Sequence, residues 1–450
     1  MSPAIPDKLV AALKESFGFS TFRPLQVEIV SETLAGNDVL ALLPTGGGKS
    51  LCYQLPAIVR PGLTLVISPL IALMKDQVDG LIENGISAAQ LNSNLTEEES
   101  KETWRRLYRG EIKILYISPE RLLLEGMLET LEKLNLEFVA VDEAHCISSW
   151  GHDFRPEYRA LTTIRARFPH VPILALTASA TERVRSDIVE MLSLRDAKIF
   201  VASFNRPNLS YRIIPRLSPI KQILEIIETH RDESGIIYCL SRARTEAVAL
   251  DLSAKGIKAR AYHAGLSTEE RNKRQERFVR DETQVMVATI AFGMGIDKPD
   301  VRFVIHHDLP KNLESYYQET GRAGRDGLPS ECVMLYSSSD AAKLRGFIDQ
   351  ATDPLEREVA SRQLSRLLQF AESSECRRVS LLGYFGETYR DGSGAISLSC
   401  GSCDNCLTPR EEIDATEAAQ KLLSCVLRIH KHSGFSVGMN HIVDVLLGAS

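Results

Sequence analysis

The sequence predicts an α/β fold in which two parallel-sheet domains stand in tandem and a helical, cysteine-bearing segment follows. Three observations lead there. Strand-like and helix-like stretches alternate twice over, the pattern of a mostly parallel sheet with helices on both faces. A glycine-rich turn joins the first strand to a helix at Pro44-Thr45-Gly46-Gly47-Gly48-Lys49-Ser50. After Ser337 the alternation stops, and helices run into a tight C-x2-C-x2-C group at Cys400, Cys403 and Cys406.

In the first half, strands are expected at Asp38–Leu43, Leu63–Ile67, Ile112–Ile117, Glu137–Asp142 and Ile173–Leu176. In the second they are expected at Gly235–Cys239, Lys258–Tyr262, Gln284–Thr289, Phe303–His307 and Glu331–Tyr336. The stretch Ser203 to Ser218, with Asn205, Pro207, Asn208 and Pro215, reads as the connection between the halves. Helices are expected across Asp340–Tyr389 and again over Asp414–His432. The corresponding domains are 1–203, 204–337, 338–407 and 408–450. The charged helix Thr268–Arg280 reads as a solvated face in preference to a nucleic-acid stripe. Nothing in the sequence itself shows whether the two halves are structurally alike.

With 450 residues, 44% of them hydrophobic, the chain can build several real cores. No apolar run is long enough to cross a bilayer; the longest, around Leu63 to Met74, is broken by Ser68-Pro69. The N-terminus lacks the basic-then-apolar pattern of a secretion signal, so a cytoplasmic protein is expected. A net charge of −6 argues against a general DNA coat but leaves room for a local basic groove.

The glycine-rich turn suits phosphate. Its glycines let backbone N–H groups converge on an anion, and the helix start adds a positive dipole end. Lys49 can reach the outer phosphates, and the Ser50 hydroxyl can hold a phosphate-bound Mg2+. Thr45, Gly46, Gly47 and Gly48 form the cradle for ATP. Leu43 stands where many phosphate loops begin with glycine, a variant typical of helicases.

The apolar strand ending Val141-Asp142-Glu143-Ala144-His145 presents two neighbouring carboxylates. Asp142 is assigned to the metal and Glu143 to the attacking water. Upstream, Gln26 offers an amide suited to an adenine edge, while Phe19 or Arg23 could stack on the base; singly, each fits core or surface equally well. In the second half, Arg322 and Arg325 lie in QETGRAGRD after a helix expected over Asn312–Thr320, with Gln318 and Arg322 on one face. A guanidinium reaching in from another domain would neutralise charge on the transferring phosphoryl group.

Cys146 to Tyr158 (CISSWGHDFRPEY) follows the carboxylates. Trp150, His152, Phe154 and Arg155 make it a candidate base-stacking loop, since aromatic rings stack on bases without regard to sequence. For Trp150 a core position competes with the loop reading. Ser179 and Thr181 are candidates for an inter-domain relay or for ordinary turn bonds. Cys400, Cys403 and Cys406, with Cys376 as the natural fourth, suit a closed structural Zn2+ site; an iron–sulfur cluster is the competing reading. The other cysteines read as small core or loop residues.

Together these motifs closely resemble the RecQ helicases of superfamily 2, from about Phe17 to at least Cys406. FGFSTFRPLQ, PTGGGKSLCYQ, SPLIALMKDQV, DEAHCISSWGHDFRPEY, LTASAT, SFNRPNL, AYHAGL, VATIAFGMGIDKPDVR and ESYYQETGRAGRDG carry the likeness, in order. The resemblance implies two RecA-like domains, a helical zinc-binding subdomain and the start of a winged helix. It further implies an ATP-dependent DNA helicase moving 3′ to 5′ in repair and recombination, monomeric, acting on single-stranded and tailed duplex DNA. Gln26 and Arg23 then take the adenine, Lys49 and Ser50 the phosphates and Mg2+, Asp142 and Glu143 the metal and water. Arg325 becomes the arginine finger with Arg322 as its helper. The resemblance also makes the stretch with Trp150, His152, Phe154 and Arg155 the aromatic-rich loop that couples DNA contact to hydrolysis. The stretch Thr408 to Ser450 is expected to supply the first two helices of a winged helix, leaving the apolar face of Val437 to Leu447 exposed. An RNA-remodelling ATPase, a DNA-stimulated ATPase with weak unwinding, and a non-enzymatic DNA-binding module remain as alternatives.

Overall fold

The computed structural model describes residues 7–44, 46–93, 95–151, 153–293, 298–409, 414–434 and 437–448. Thr45 and His152, both expected in sites, lie outside the described residues. The chain divides into two compact units, Met1–Leu407 and Thr408–Ser450.

The first lobe holds β1 (Val39–Leu42), β2 (Leu63–Ile67), β3 (Ala88–Leu91), β4 (Ile114–Ile117), β5 (Leu136–Val141), β6 (Ile173–Thr177) and β7 (Lys198–Val201). The second holds β8 (Leu209–Pro215), β9 (Ser234–Tyr238), β10 (Ala259–Tyr262), β11 (Val285–Ala288), β12 (Val301–His306) and β13 (Ser330–Tyr336). Both sheets are parallel, in the orders β3-β4-β2-β5-β6-β1-β7 and β10-β11-β9-β12-β13-β8. Shifted by seven, the second order repeats the first six positions of the first. The halves are thus copies of one topology, a likeness the sequence did not reveal. The central strands β1, β2, β4 and β11 are buried throughout, because helices cover both faces of a parallel sheet.

The expected connection Ser203–Ser218 is corrected. It contains β8, whose Leu209, Tyr211 and Ile213 point inward while the alternate positions are partly exposed, and which pairs with β13 at the sheet edge. Asn and Pro flanks disguised it, yet a proline at the end of an edge strand costs no ladder bond. Two further strands, β3 and β7, went unforeseen: β3 (AAQL) has no β-branched residue, and β7 exposes Ile199 and Val201 at an edge.

The lobes and the helices after them form one packed body. Phe204, in the linker, stacks on Phe385 with ring centroids 4.5 Å apart, and Tyr317 of the second lobe meets both rings. Helices Ser338–Asp349, Pro354–Glu372 and Arg377–Tyr384 fill the region where helices were expected. The second unit contains helices Thr416–Ser433 and Met439–Leu446; Gly434 ends the first in the left-handed conformation, at φ 73°. No residue of Met439–Leu446 is buried, in keeping with the exposed apolar face expected there.

Candidate nucleotide site, aromatic loop and cysteine centre

The phosphate loop leaves the C-terminal end of β1 and enters helix Leu51–Val59 through Ser50. Gly46 and Gly48 have φ of 79° and 76°, so a side chain at either would be strained. Gln26 is buried, and its Nε2 donates to the carbonyls of Gly48 (3.1 Å) and Gly47 (3.3 Å). The Arg23 guanidinium donates to the Gly46 carbonyl, while the Arg23 backbone N–H donates to Gln26 Oε1 at 2.8 Å. Both residues therefore grip the back of the loop, and Phe19 stands 57% exposed nearby in sequence.

β5 delivers Asp142 and Glu143 beside this loop. Glu143 adopts φ 47°, a strained position for a residue with a side chain. Its Oε1 lies 3.8 Å from Lys49 Nζ and its Oε2 lies 3.3 Å from His145 Nδ1. His145 Nδ1 is also 2.8 Å from Thr177 Oγ1, at the end of the intervening strand β6. Burial, and then the Glu143 charge, push the Asp142 carboxyl up to about 6 against the pull of Lys49. A buried carboxylate that one lysine offsets only in part suits a cation ligand.

The second lobe reaches the same place. A methyl group on Gly46 would lie 3.4 Å from Arg325 Cγ, so the Arg325 side chain runs along the phosphate loop. Arg322 is nearly buried and donates to the Gly293 carbonyl. Helix Leu313–Thr320 ends before Arg322, which sits in the turn after the Gly321 cap. The expectation that Gln318 and Arg322 share one helical face is therefore corrected: the helix stops at Thr320, and the chain turns away through Gly324, whose φ is 55°. Gln318 instead crosses to the first lobe, donating to Ser179 Oγ at 3.2 Å. Thr181 is the N-cap of helix Glu182–Met191 and makes no side-chain capping bond there.

The aromatic stretch folds back under the carboxylates. Tyr158 OH donates to the Asp142 carbonyl at 2.9 Å, and Arg155 Nη1 donates to the Pro69 carbonyl at 3.1 Å. A side chain on Gly151 would meet the His145 carbonyl at 2.3 Å, so glycine is needed for this close approach. Trp150 is half-buried against the edge of the core, and its ring lies 3.4 Å from the Arg183 guanidinium and 5.7 Å from that of Arg362. Phe154 carries Arg159 over its ring at 4.7 Å. A cavity of about 420 Å³ opens beside Phe154, between both lobes and helices Ser338–Asp349 and Pro354–Glu372.

Cys376, Cys400, Cys403 and Cys406 bring their Sγ atoms within 4.8 Å of one another, with Cys376 and Cys403 at 3.9 Å. Four thiolates around zinc at about 2.3 Å would stand about 3.8 Å apart, so the set fits a tetrahedral metal. Backbone N–H groups of Arg377 and Ser402 donate to Cys403 and Cys400, which favours thiolates. Asp404 accepts from the Ile213 N–H of edge strand β8 at 3.0 Å and pairs with the buried Arg377. Arg378 donates to the carbonyls of Arg206 and Leu209. The cysteine centre is thereby fastened to the second lobe.

Models of the DEAD/DEAH box helicase (residues 23–188), the helicase conserved C-terminal domain (218–327), the RecQ zinc-binding region (338–407) and the RQC domain (409–450) match the chain in this order. The chain is 46% identical to ATP-dependent DNA helicase RecQ of Pasteurella multocida, over 99% of its own length and 69% of the relative's. It belongs to the RecQ family. The RecQ proteins of Haemophilus influenzae and Bacillus subtilis are 45% and 41% identical, over 98% and 97% of this chain and 69% and 72% of theirs. Helicase MrfA bound to DNA shares the fold at TM-score 0.62 and 17% identity, over 82% of this chain and 57% of that one. Mycobacterium smegmatis helicase Lhr, bound to single-stranded DNA and AMP-PNP, does so at 0.59 and 18%, over 84% and 62%. The four-cysteine cluster lies in the stretch matched by the RecQ zinc-binding model, which favours zinc over an iron–sulfur cluster. Among the described residues no helix is long and apolar enough to cross a membrane.

Proposed function

We propose that this chain is an ATP-dependent DNA helicase that tracks 3′ to 5′ on single-stranded DNA and separates tailed duplexes in repair and recombination. The observation that supports this most directly is Arg325 lying along Gly46: a residue of the second lobe meets the phosphate loop of the first. In this reading ATP is bound with its phosphates at Gly46 to Lys49. Ser50 and Asp142 would hold Mg2+, which when bound offsets charge on the phosphate oxygens. Glu143 orients and deprotonates the attacking water, and His145 and Lys49 fix the two ends of its carboxylate. Arg325 neutralises charge that develops on the transferring group, and Arg322 holds the turn at Gly293 that backs it.

The nucleotide draws the lobes together through Lys49 and Arg325, and hydrolysis removes that bridge, so closure is biased by ligand. DNA contacts fall to Trp150, Phe154 and Arg155, joined to the carboxylates through Tyr158. Zinc at the four cysteines is structural.

Strand displacement on 3′-tailed and 5′-tailed duplexes, with and without ATP, tests the reading. ATP-dependent unwinding of the 3′-tailed duplex alone is expected. Unwinding of only the 5′-tailed duplex overturns the direction, and none on either overturns the helicase.

A further inference from the structure

Gln363, half-buried on helix Pro354–Glu372, spends its amide on two other parts of the fold. Its Nε2 donates to the Trp150 carbonyl of the aromatic loop at 3.2 Å. Its Oε1 accepts from Asn312 Nδ2 at 3.0 Å. Asn312 is fully buried, and its Oδ1 accepts from the Ser315 N–H at 2.8 Å, capping the helix that leads to Arg322 and Arg325.

The direction of every bond in this chain is fixed. Ser315 N–H is a donor, so Asn312 must present its oxygen there and its NH2 to Gln363. Gln363 must then answer with its oxygen and turn its NH2 toward an acceptor, the Trp150 carbonyl. Flipping either amide would set two donors and two acceptors face to face. Trp150 is held at its other end as well, its N–H donating to Ser148 Oγ at 3.1 Å and its ring lying against Arg183.

We propose that Gln363 is a positioning residue that transmits the state of the aromatic loop to the capped helix bearing the arginine turn, so that DNA contact at Trp150 sets the arginines for hydrolysis. This rests on the function proposed above. A further contact between the lobes, Gln318 to Ser179, reaches Thr177 and His145 and does not touch Trp150 itself.

Two near-isosteric changes cut the relay at different places. Gln363→Glu removes the donor to Trp150 and keeps the acceptor for Asn312. Asn312→Asp keeps the helix cap and removes the donor to Gln363. ATP hydrolysis by the full chain is measured without DNA and against rising single-stranded oligothymidylate, with melting temperature and zinc content as controls on folding. Each single variant is expected to lose roughly two- to tenfold of the maximal DNA-stimulated rate, the worth of one hydrogen bond. The DNA-free rate and the half-stimulating DNA concentration should stay within about twofold. Because the bonds act in series, the double variant should be no worse than the poorer single one. Undiminished stimulation in either variant, or losses that multiply in the double variant, overturns the relay alone. A wild-type enzyme that DNA does not stimulate overturns the functional reading and the relay with it.

Discussion

Glu314 stands in the first turn of helix Leu313–Thr320 and is 2% exposed. Burial pushes its carboxyl from an ordinary 4.5 up to about 7, opposed by a hydrogen bond with Tyr384 and by the charge of Arg366. The native protein therefore holds a proton that the unfolded chain releases between these two values. Stability contributed by the protonated group is complete below 4.5 and is lost as pH rises through 7. At 1.36 kcal/mol per pH unit, the ionised group costs roughly 3 kcal/mol at pH 8 and about 1 kcal/mol at pH 5. Glu314→Gln mimics the neutral acid and carries no such cost. Thermal melting of both proteins without nucleotide, from pH 5 to 8, should show the variant's advantage growing by roughly 2 kcal/mol, about 2 degrees in melting temperature for a chain of this length. Melting curves that stay parallel across that range would refute the burial argument. Tyr384→Phe, which removes a bond favouring the charged form, should raise the Glu314 carboxyl further and extend the decline to higher pH.

Lys49→Ala removes the cation facing Glu143 and the phosphates. Hydrolysis and unwinding should both fall by at least a hundredfold in phosphate-release and strand-displacement assays, and retention of either counts against the site. Trp150→Ala should cut DNA stimulation of hydrolysis, with roughly 1–3 kcal/mol of stacking lost per base; an unchanged ratio of stimulated to DNA-free rate refutes a DNA role for the loop. Metal analysis should find one zinc per chain, and Cys403→Ser should lose it and lower the melting temperature; iron with sulfide in its place refutes the zinc assignment.

What could be read from sequence was what the backbone or the metal dictates locally. Gly46 and Gly48 are glycines because their φ values demand it, and the cradle was visible for that reason. β5 was visible because an apolar run ends abruptly in Asp142 and Glu143, and the cysteines because their spacing is a ligand spacing. Features that depend on distant partners stayed hidden. β8 gains its identity from pairing with β13, more than a hundred residues later, and its own flanks argued for a loop. His145 was seen only as part of a motif, yet it holds Glu143 because β6 brings Thr177 alongside. Nothing in the run RQLSRLL distinguishes Gln363 from a solvated helix glutamine; its meaning lies in Trp150 and Asn312.

The repeated strand order poses a sharper question: why two copies of one topology should have a single phosphate loop. The counterpart of that loop follows β8, at Arg216 to Ser218, and the counterpart of Asp142 lies at the end of β12, in His306-His307-Asp308. There the space for an anion is filled from within. Arg216 grips Asp340 through both nitrogens, at 2.7 and 2.8 Å, and meets Asp308 at 2.9 Å. A guanidinium neutralised by two carboxylates in a partly buried setting has no charge left for phosphate, and the turn has no glycines to open its N–H groups. Among the described residues the second lobe thus presents no matching phosphate cradle at this place, while its frame still aims a helix end at its neighbour. The turn after that helix sets Arg325 against Gly46, and in the proposed mechanism one site shared by two lobes lets a single bond cleavage move them relative to each other.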